Sequence, residues 1–254
     1  MKIGIVGNGQ IGKSLNKLFA NAILYDGPQS VGTQEEINTC DVAFICVPTP
    51  MGLNGECDTS IVEEVISWLN VKLIIIRSTV EVGFTERMSS KYQKEIVFQP
   101  EFYGSTAGHP YNDERAFKWI VLGGTVTGRS MAINAYKEVI SSDVKIYQTD
   151  AKTAEMTKYM DNAFLALKVV FCNEMYDMAG AYGINYDELR EIWLADPRIG
   201  ASHTFVYENN RGFGGHCYPK DTQALLIQAK KIGVDLSVLE AAVKKNKIWH
   251  TKCN

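Results

Sequence analysis

The sequence predicts an α/β fold: a doubly wound parallel sheet at the N-terminus, abbreviated on one side, followed by an all-helical domain. Three observations carry that reading. Short, almost wholly apolar segments alternate with helix-like ones over residues 1–150, as strands do when helices cover both faces of a parallel sheet. A glycine pattern, GNGQIG at 7–12, links the first such segment to the first helix. From about Ala151 onward no strong strand pattern appears.

Taken in order, KIGIV (2–6) is a β-rich run ending in glycine, a helical stretch follows, and AILYD (22–26) reads as a second strand. TQEE (33–36) has the form of a capping box opening a short helix. Fifteen positions separate Asp26 from Asp41, too few for another full strand–helix unit, so the sheet is expected to be cut short there. DVAFICVPTP (41–50) is a buried strand stopped by two prolines. DTSIVEEVISWLN (58–70) places Ile61, Val62, Val65, Ile66 and Leu69 on one helix face, with Asp58 as its cap. VKLIIIRST, EIVFQPEF, KWIVLGG and VKIYQTD supply the remaining strands. The predicted domains are 1–150 and 151–254.

Composition narrows the class. A charged share of 22% and a hydrophobic share of 46% are those of an ordinary globular protein, and 254 residues suffice for a substantial core. A net charge of -3 gives no electrostatic case for nucleic acid or an anionic membrane as partner. No apolar run reaches the roughly 18–20 residues of a membrane span, and MKIGIVGNGQIG has none of the parts of a signal peptide. The six cysteines, at 40, 46, 57, 172, 217 and 253, form no paired framework, so a reduced, cytoplasmic protein is expected.

GNGQIG follows a strand and opens a helix within a βαβ unit, the context that gives the pattern meaning as a Rossmann-type dinucleotide site. Gly7 permits the turn, Gly9 allows close approach of a pyrophosphate, and Gly12 lets helix and strand meet closely. Gln10 and Ile11 begin the helix whose free N–H groups favour anions. Asp26 lies nineteen residues after Gly7, where a carboxylate binds the adenosine ribose hydroxyls and repels a 2′-phosphate. NAD is the predicted cofactor.

Two further groups carry chemistry. Lys158 and Asn162 are spaced i, i+4 and share a helix face. Met156, Met160, Phe164 and Leu165 nearby imply that the helix is largely buried, so the lysine needs an anion or a substrate oxygen, or must snorkel to solvent. GFGGHCYPKD (212–221) crowds Cys217 among glycines, Lys220 and Asp221. Cationic, N–H-rich surroundings favour the thiolate, so a nucleophile is a better reading than a packed thiol. His109 and His203 have no partners at metal spacing, and no metal is predicted.

GFGGHCYPKD closely resembles the cysteine motif of the UDP-glucose/GDP-mannose dehydrogenase family. FICVPTP, RSTVEVGFT, QPEF, AEMTKYMDNAFLALKVVFCNE and DPRIG resemble further segments of that family, in family order. The resemblance implies oxidation of a nucleotide-sugar C6 hydroxyl to a carboxylate with two NAD in succession, UDP-glucose being the favoured substrate. It makes Cys217 the nucleophile, with Lys158 and Asn162 stabilising the oxyanion. Asp221 would position the hydrolytic water and interact with Lys158, and Glu101 would be general base beside a water held by Thr79. Val47, Pro48, Thr49 and Thr79 would line the cofactor. Phe102, Arg198, Gly214 and Lys220, with Glu101, Lys158 and Asn162, would contact the nucleotide sugar. A homodimer formed through the helical domain is expected.

The sequence departs from the family in three places. The stretch between Asp26 and Asp41 is short, and YGSTAGHPYND (103–113) lacks the usual arginine–glutamate–glycine run. LEAAVKKNKIWHTKCN (239–254) resembles the start of the family's interdomain helix, so a short form without the C-terminal nucleotide-sugar-binding domain is expected. Two other readings stand beside the family one. A single-step β-hydroxyacid dehydrogenase also uses a lysine and asparagine four apart but needs no cysteine. A degenerate NAD-binding interaction module would need neither.

Overall fold

The computed structural model describes residues 1–104, 111 and 113–251. The chain forms two compact units, Met1–Gly52 with Cys57–Lys158, and Leu53–Glu56 with Tyr159 onward.

The first unit is built on seven strands: β1 (Ile3–Val6), β2 (Ile23–Tyr25), β3 (Val42–Ile45), β4 (Leu73–Ile76), β5 (Ile96–Phe98), β6 (Trp119–Gly123) and β7 (Lys145–Thr149). They lie side by side in the order β2-β1-β3-β4-β5-β6-β7. Period-two alternation sends the side chains of β1, β3 and β4 to two different cores. Ile3, Ile5, Val42, Phe44, Leu73 and Ile75 pack with Leu15 of α1 (Gln10–Leu18) and Ala132 and Tyr136 of α5 (Val126–Tyr136). Val6, Ala43, Ile45, Ile74 and Ile76 pack with Val62, Val65 and Ile66 of α3 (Ser60–Trp68) and with Phe84 and Met88 of α4 (Phe84–Tyr92). Each large apolar side chain so buried contributes roughly 1.5–3 kcal/mol, which is why these strands read as unbroken apolar runs.

The expected abbreviation is present. Thr33 and Glu36 form a reciprocal capping box that opens α2 (Gln34–Ile37), a helix of four residues. The chain then returns to β3 on the other side of β1, leaving β2 as the outer strand. At α3 the N-cap is Thr59, which makes no side-chain cap bond; Asp58, one residue before it, accepts from Ser60 N through Oδ1 at 3.0 Å. Ile61, expected on the buried face, is exposed.

The sheet is not wholly parallel. β5 and β6 pair antiparallel at Phe98 and Gly123, whereas every other neighbouring pair is parallel. A parallel return needs a crossover, usually a helix. Among the described residues between β5 and β6 only a single 3-10 turn at Glu114–Ala116 is regular. α5 then restores the parallel sense between β6 and β7.

The helical part comprises α6 (Ala151–Ala181), α7 (Tyr186–Trp193), α8 (Cys217–Lys231) and α9 (Ser237–Thr251). The division between the units falls within α6, after Lys158. In the second unit Ala166, Val170, Phe213, Ala242 and Trp249 form one core, and Cys172, Ala179 and Tyr186 another. α6 is buried on one face only, and Lys158 on that face meets an anion, the Glu101 carboxylate. Met156, Met160 and Phe164, which implied a largely buried helix, are exposed; Glu155, Lys158, Asn162 and Asn173 are buried alongside Ala154, Tyr159, Ala163, Ala166 and Val170. Small and aromatic residues share the inward face with four polar side chains, while the larger methionines and Phe164 face outward. Among the described residues no helix is long and apolar enough to cross a membrane.

Candidate active site

The glycine turn is shaped by backbone contact. Gly7 has φ 103° and donates its N–H to Tyr25 O at 2.8 Å. A Cβ on Gly7 would strike Cys46 O, and one on Gly12 would strike Gly7 O, so neither position admits a side chain. Gly9 differs, because a Cβ there meets nothing within 4 Å. It is the N-cap of α1 and offers no side chain to the N–H groups of Gln10 and Ile11 in the first turn. Open space in front of uncapped N–H groups is what a pyrophosphate requires.

Asp26 follows β2 directly, and its carboxylate is held in place. Oδ2 accepts from Asn8 N at 2.8 Å and from Gln29 Nε2 at 3.1 Å, and Oδ1 accepts from Gln29 N at 3.0 Å. Val47, Pro48 and Thr49 follow β3, and Thr79 follows β4. Ser78 Oγ donates to Val47 O at 2.7 Å, and Cys57 Sγ donates to Thr79 O at 3.3 Å. All these positions lie beyond the carboxyl ends of β1, β2, β3 and β4. There the strand order reverses direction about β1, the usual ligand crevice of an open α/β sheet. The residues fit a dinucleotide.

Beyond β5, Glu101 forms a buried ion pair with Lys158, Nζ to Oε1 2.8 Å, and Lys158 also donates to Glu101 O at 2.6 Å. Tyr103 N donates to Glu101 Oε2 at 3.0 Å, and Lys158 Nζ stands 5.6 Å from the centre of the Phe102 ring. Burial alone would raise the Glu101 pKa. The charge and hydrogen bond of Lys158, with smaller help from Tyr103 N–H and Arg77, outweigh it and hold the carboxyl below its ordinary 4.5.

Sequence reasoning missed three buried residues here, two that brace this loop and one that caps α4. Arg77 makes a bidentate pair with Glu114 at 2.8 and 3.2 Å, with both side chains buried. Tyr103 Oη donates to Glu114, and Glu114 N donates to Ser14 Oγ of α1 at 2.7 Å. Glu155 takes the place of a cap on α4, accepting from Gly83 N at 2.5 Å and Thr85 N at 2.8 Å. Its spacing three residues before Lys158 was the available signal, since both must share a helix face. Of the departing stretch 103–113, residues 105–110 and 112, including His109, lie outside the described residues.

In the second unit Cys217 is the first residue of α8 rather than part of a loop, and its side chain is exposed. A helix N-terminus favours a negative sulfur. The apolar cysteines behave in the opposite way: burial pushes the Cys46 thiol up to about 12 and also raises Cys40 and Cys172. One turn after Cys217, Asp221 is buried and accepts from Asn162 Nδ2 and from Lys220 Nζ, each at 2.5 Å. Gly214 precedes this turn with its α-carbon 's side free of close backbone. Arg198 is exposed and pairs with Asp196, Nη2 to Oδ2 2.6 Å. His203 lies 2.5 Å from Ser202 Oγ through Nδ1 and 2.5 Å from Tyr218 Oη through Nε2. Among the described residues no three histidine, cysteine, aspartate or glutamate side chains are grouped to hold a metal.

The ion pair yields a stability prediction. Because the Glu101 pKa is lowered on folding, its contribution is present above about pH 4.5 and lost as pH falls through the lowered value. Glu101→Gln leaves the Lys158 charge buried without its partner and should cost about 3 kcal/mol. Urea unfolding at pH 7 and pH 4 measures it. An unchanged midpoint at pH 7, or a deficit that does not shrink in acid, contradicts the pairing.

Comparison with known proteins agrees with this geometry. Residues 24–140 match the UDP-glucose/GDP-mannose dehydrogenase family, NAD binding domain, and residues 152–248 match the same family's central domain. The glycine turn lies ahead of the first match and stands on its own geometry. UDP-glucose 6-dehydrogenase from Pseudomonas aeruginosa is 30% identical over 229 residues, covering 84% of this chain and 49% of that protein. UDP-glucose 6-dehydrogenase TuaD from Bacillus subtilis is 32% identical over 225 residues, 83% of this chain and 47% of that protein. Among solved structures, a UDP-glucose dehydrogenase from Pyrobaculum islandicum gives a TM-score of 0.84 at 25% identity, over 97% of this chain and 68% of that one. The chain spans about half the length of the curated relatives it matches. With both domain matches in family order and together spanning most of its length, the chain belongs to the UDP-glucose/GDP-mannose dehydrogenase family.

Proposed function

We propose that this chain is an NAD-dependent nucleotide-sugar 6-dehydrogenase that oxidises a C6 hydroxyl to a carboxylate, UDP-glucose to UDP-glucuronate being the favoured reaction. The observation that carries the reading is Cys217 exposed on the first turn of α8, with buried Asp221 fixed by Asn162 one turn behind it. A single-step dehydrogenase or a non-catalytic NAD-binding module leaves that arrangement without a use.

NAD held at the glycine turn would supply the oxidant, two molecules in succession each taking one hydride from C6. In the first oxidation, the C6 hydroxyl proton passes to Glu101 through a water beside Thr79, and C6 becomes an aldehyde. Glu101 is ionised at neutral pH and so is ready to accept. When Lys158 turns from Glu101 toward the developing alkoxide, the carboxylate loses its counter-charge and its proton affinity rises as it is needed. The Cys217 thiolate then adds to the aldehyde carbon to form a thiohemiacetal, its oxyanion stabilised by Lys158 and Asn162. Loss of the second hydride leaves a thioester. Asp221 directs a water onto its carbonyl carbon, the C–S bond breaks, and the acid leaves with Cys217 restored. Phe102, Gly214, Lys220 and Arg198 contact the nucleotide sugar, with the exposed Arg198 guanidinium suited to phosphate. A reducing cytoplasm suits a mechanism that depends on a free thiol.

The partner is a second copy of the chain. Met160, Phe164, Phe171, Met175 and Met178 are all exposed on α6 at helical spacing, an apolar stripe that a two-fold related copy would cover with the same residues.

Two measurements test these statements. UDP-glucose should yield two NADH per sugar, and Cys217→Ser should slow release of the free acid by roughly 10³-fold or more while NAD affinity stays. Acid formed by that variant at the wild-type rate sinks the mechanism. By light scattering the chain should be a dimer and Met160→Glu a folded monomer; a monomeric wild-type chain removes the dimer.

A further inference from the structure

The backbone that leads into Cys217 is gripped from behind by α9. Asn246 is only 6% exposed, and both its Oδ1 and its Nδ2 bond to one residue. Phe213 N donates to Asn246 Oδ1 at 2.7 Å, and Asn246 Nδ2 donates to Phe213 O at 2.8 Å. One turn along α9, His250 Nε2 lies 2.9 Å from the same carbonyl oxygen, which can only accept, so Nε2 carries the proton. Gly212 has φ 77°, and a Cβ there would strike Asn246 Oδ1, so the asparagine closes on bare backbone. From the other side Asn173 Oδ1 accepts from Arg211 Nε at 2.6 Å and from Gly212 N at 3.1 Å. Phe213 itself is buried among Ala166, Val170, Ala242 and Trp249.

Residues 211–213 are thus fixed by two helices and a core. Three residues, Gly214, Gly215 and His216, separate them from Cys217, and on the far side Asp221 is fixed by Asn162. We propose that Asn246, assisted by His250, is a positioning residue for Cys217. Its two-bond grip on Phe213 sets where the backbone enters α8, and with it where the sulfur stands against the helix N-terminus. The proposal rests on Cys217 being the nucleophile. The grip is directional: an apolar side chain of similar size would fill the space yet leave the Phe213 N–H and C=O unpaired in a buried setting.

Asn246→Asp tests it with little change of shape. The carboxylate still accepts from Phe213 N but cannot donate to Phe213 O. His250→Gln is the milder companion, kept in case the aspartate variant does not fold. In the full chain, alkylation of Cys217 by iodoacetamide is followed by peptide mass, with Cys217→Ser assigning the signal and thermal unfolding checking the fold. The sulfur is already exposed, so loosening adds little access and mainly removes the helix-end field. Alkylation should slow about tenfold in Asn246→Asp and about threefold in His250→Gln, the scale of one hydrogen bond or less. With UDP-glucose and NAD, the first NADH should form near the wild-type rate and the second more slowly. A purely structural role would slow both steps or neither. Unchanged alkylation in a folded variant overturns the proposal. Slowed alkylation in a chain that oxidises no nucleotide sugar keeps it and removes the functional reading instead.

Discussion

The constraint on which the rest depends is the polar face of α6. Glu155, Lys158, Asn162 and Asn173 are all nearly inaccessible to solvent, at positions where a helix would ordinarily bury leucine or valine. A buried amide left unpaired costs a few kcal/mol and a buried charge more. Each of these side chains therefore dictates where a piece of backbone or a partner residue must come. In the first unit Glu155 draws in the start of α4, and Lys158 draws in the Glu101 loop. In the second unit Asn162 holds Asp221, and Asn173 holds the strand of chain at Arg211 and Gly212. Glu101 and Asp221, two of the groups proposed for catalysis, are held by this helix.

The same logic separates the cysteines. Burial raises the thiols of Cys40, Cys46 and Cys172, which makes them inert fillers of the core. Cys217 is exposed at the start of a helix of 15 residues. Composition treats these thiols alike; only their surroundings distinguish them.

Local pattern made much of this legible. The apolar runs announce the strands, the Thr33–Glu36 box announces α2, and glycine spacing announces the turn before α1, because each is a short-range necessity. What the sequence hid is long-range. Glu155 meets backbone 70 and 72 residues away, Arg77 meets Glu114 after 37 residues, and Asn246 meets Phe213 after 33, so no local spacing marks these partners. The antiparallel β6 was hidden for a related reason: apolar runs do not state their direction. The extent of burial of α6 was overread because Met160 and Phe164 look like core residues when burial is judged by side-chain type alone. An exposed apolar stripe has the same helical period as a buried one.

The central claim is that Cys217 carries the substrate between two oxidations. The direct measurement is rapid acid quenching of the chain turning over UDP-glucose with NAD, followed by mass analysis of the peptide containing residues 212–221. The account predicts an acyl adduct on Cys217 that appears before the free acid and decays as the acid forms. Two NADH per sugar with unmodified Cys217 at every time point would contradict it.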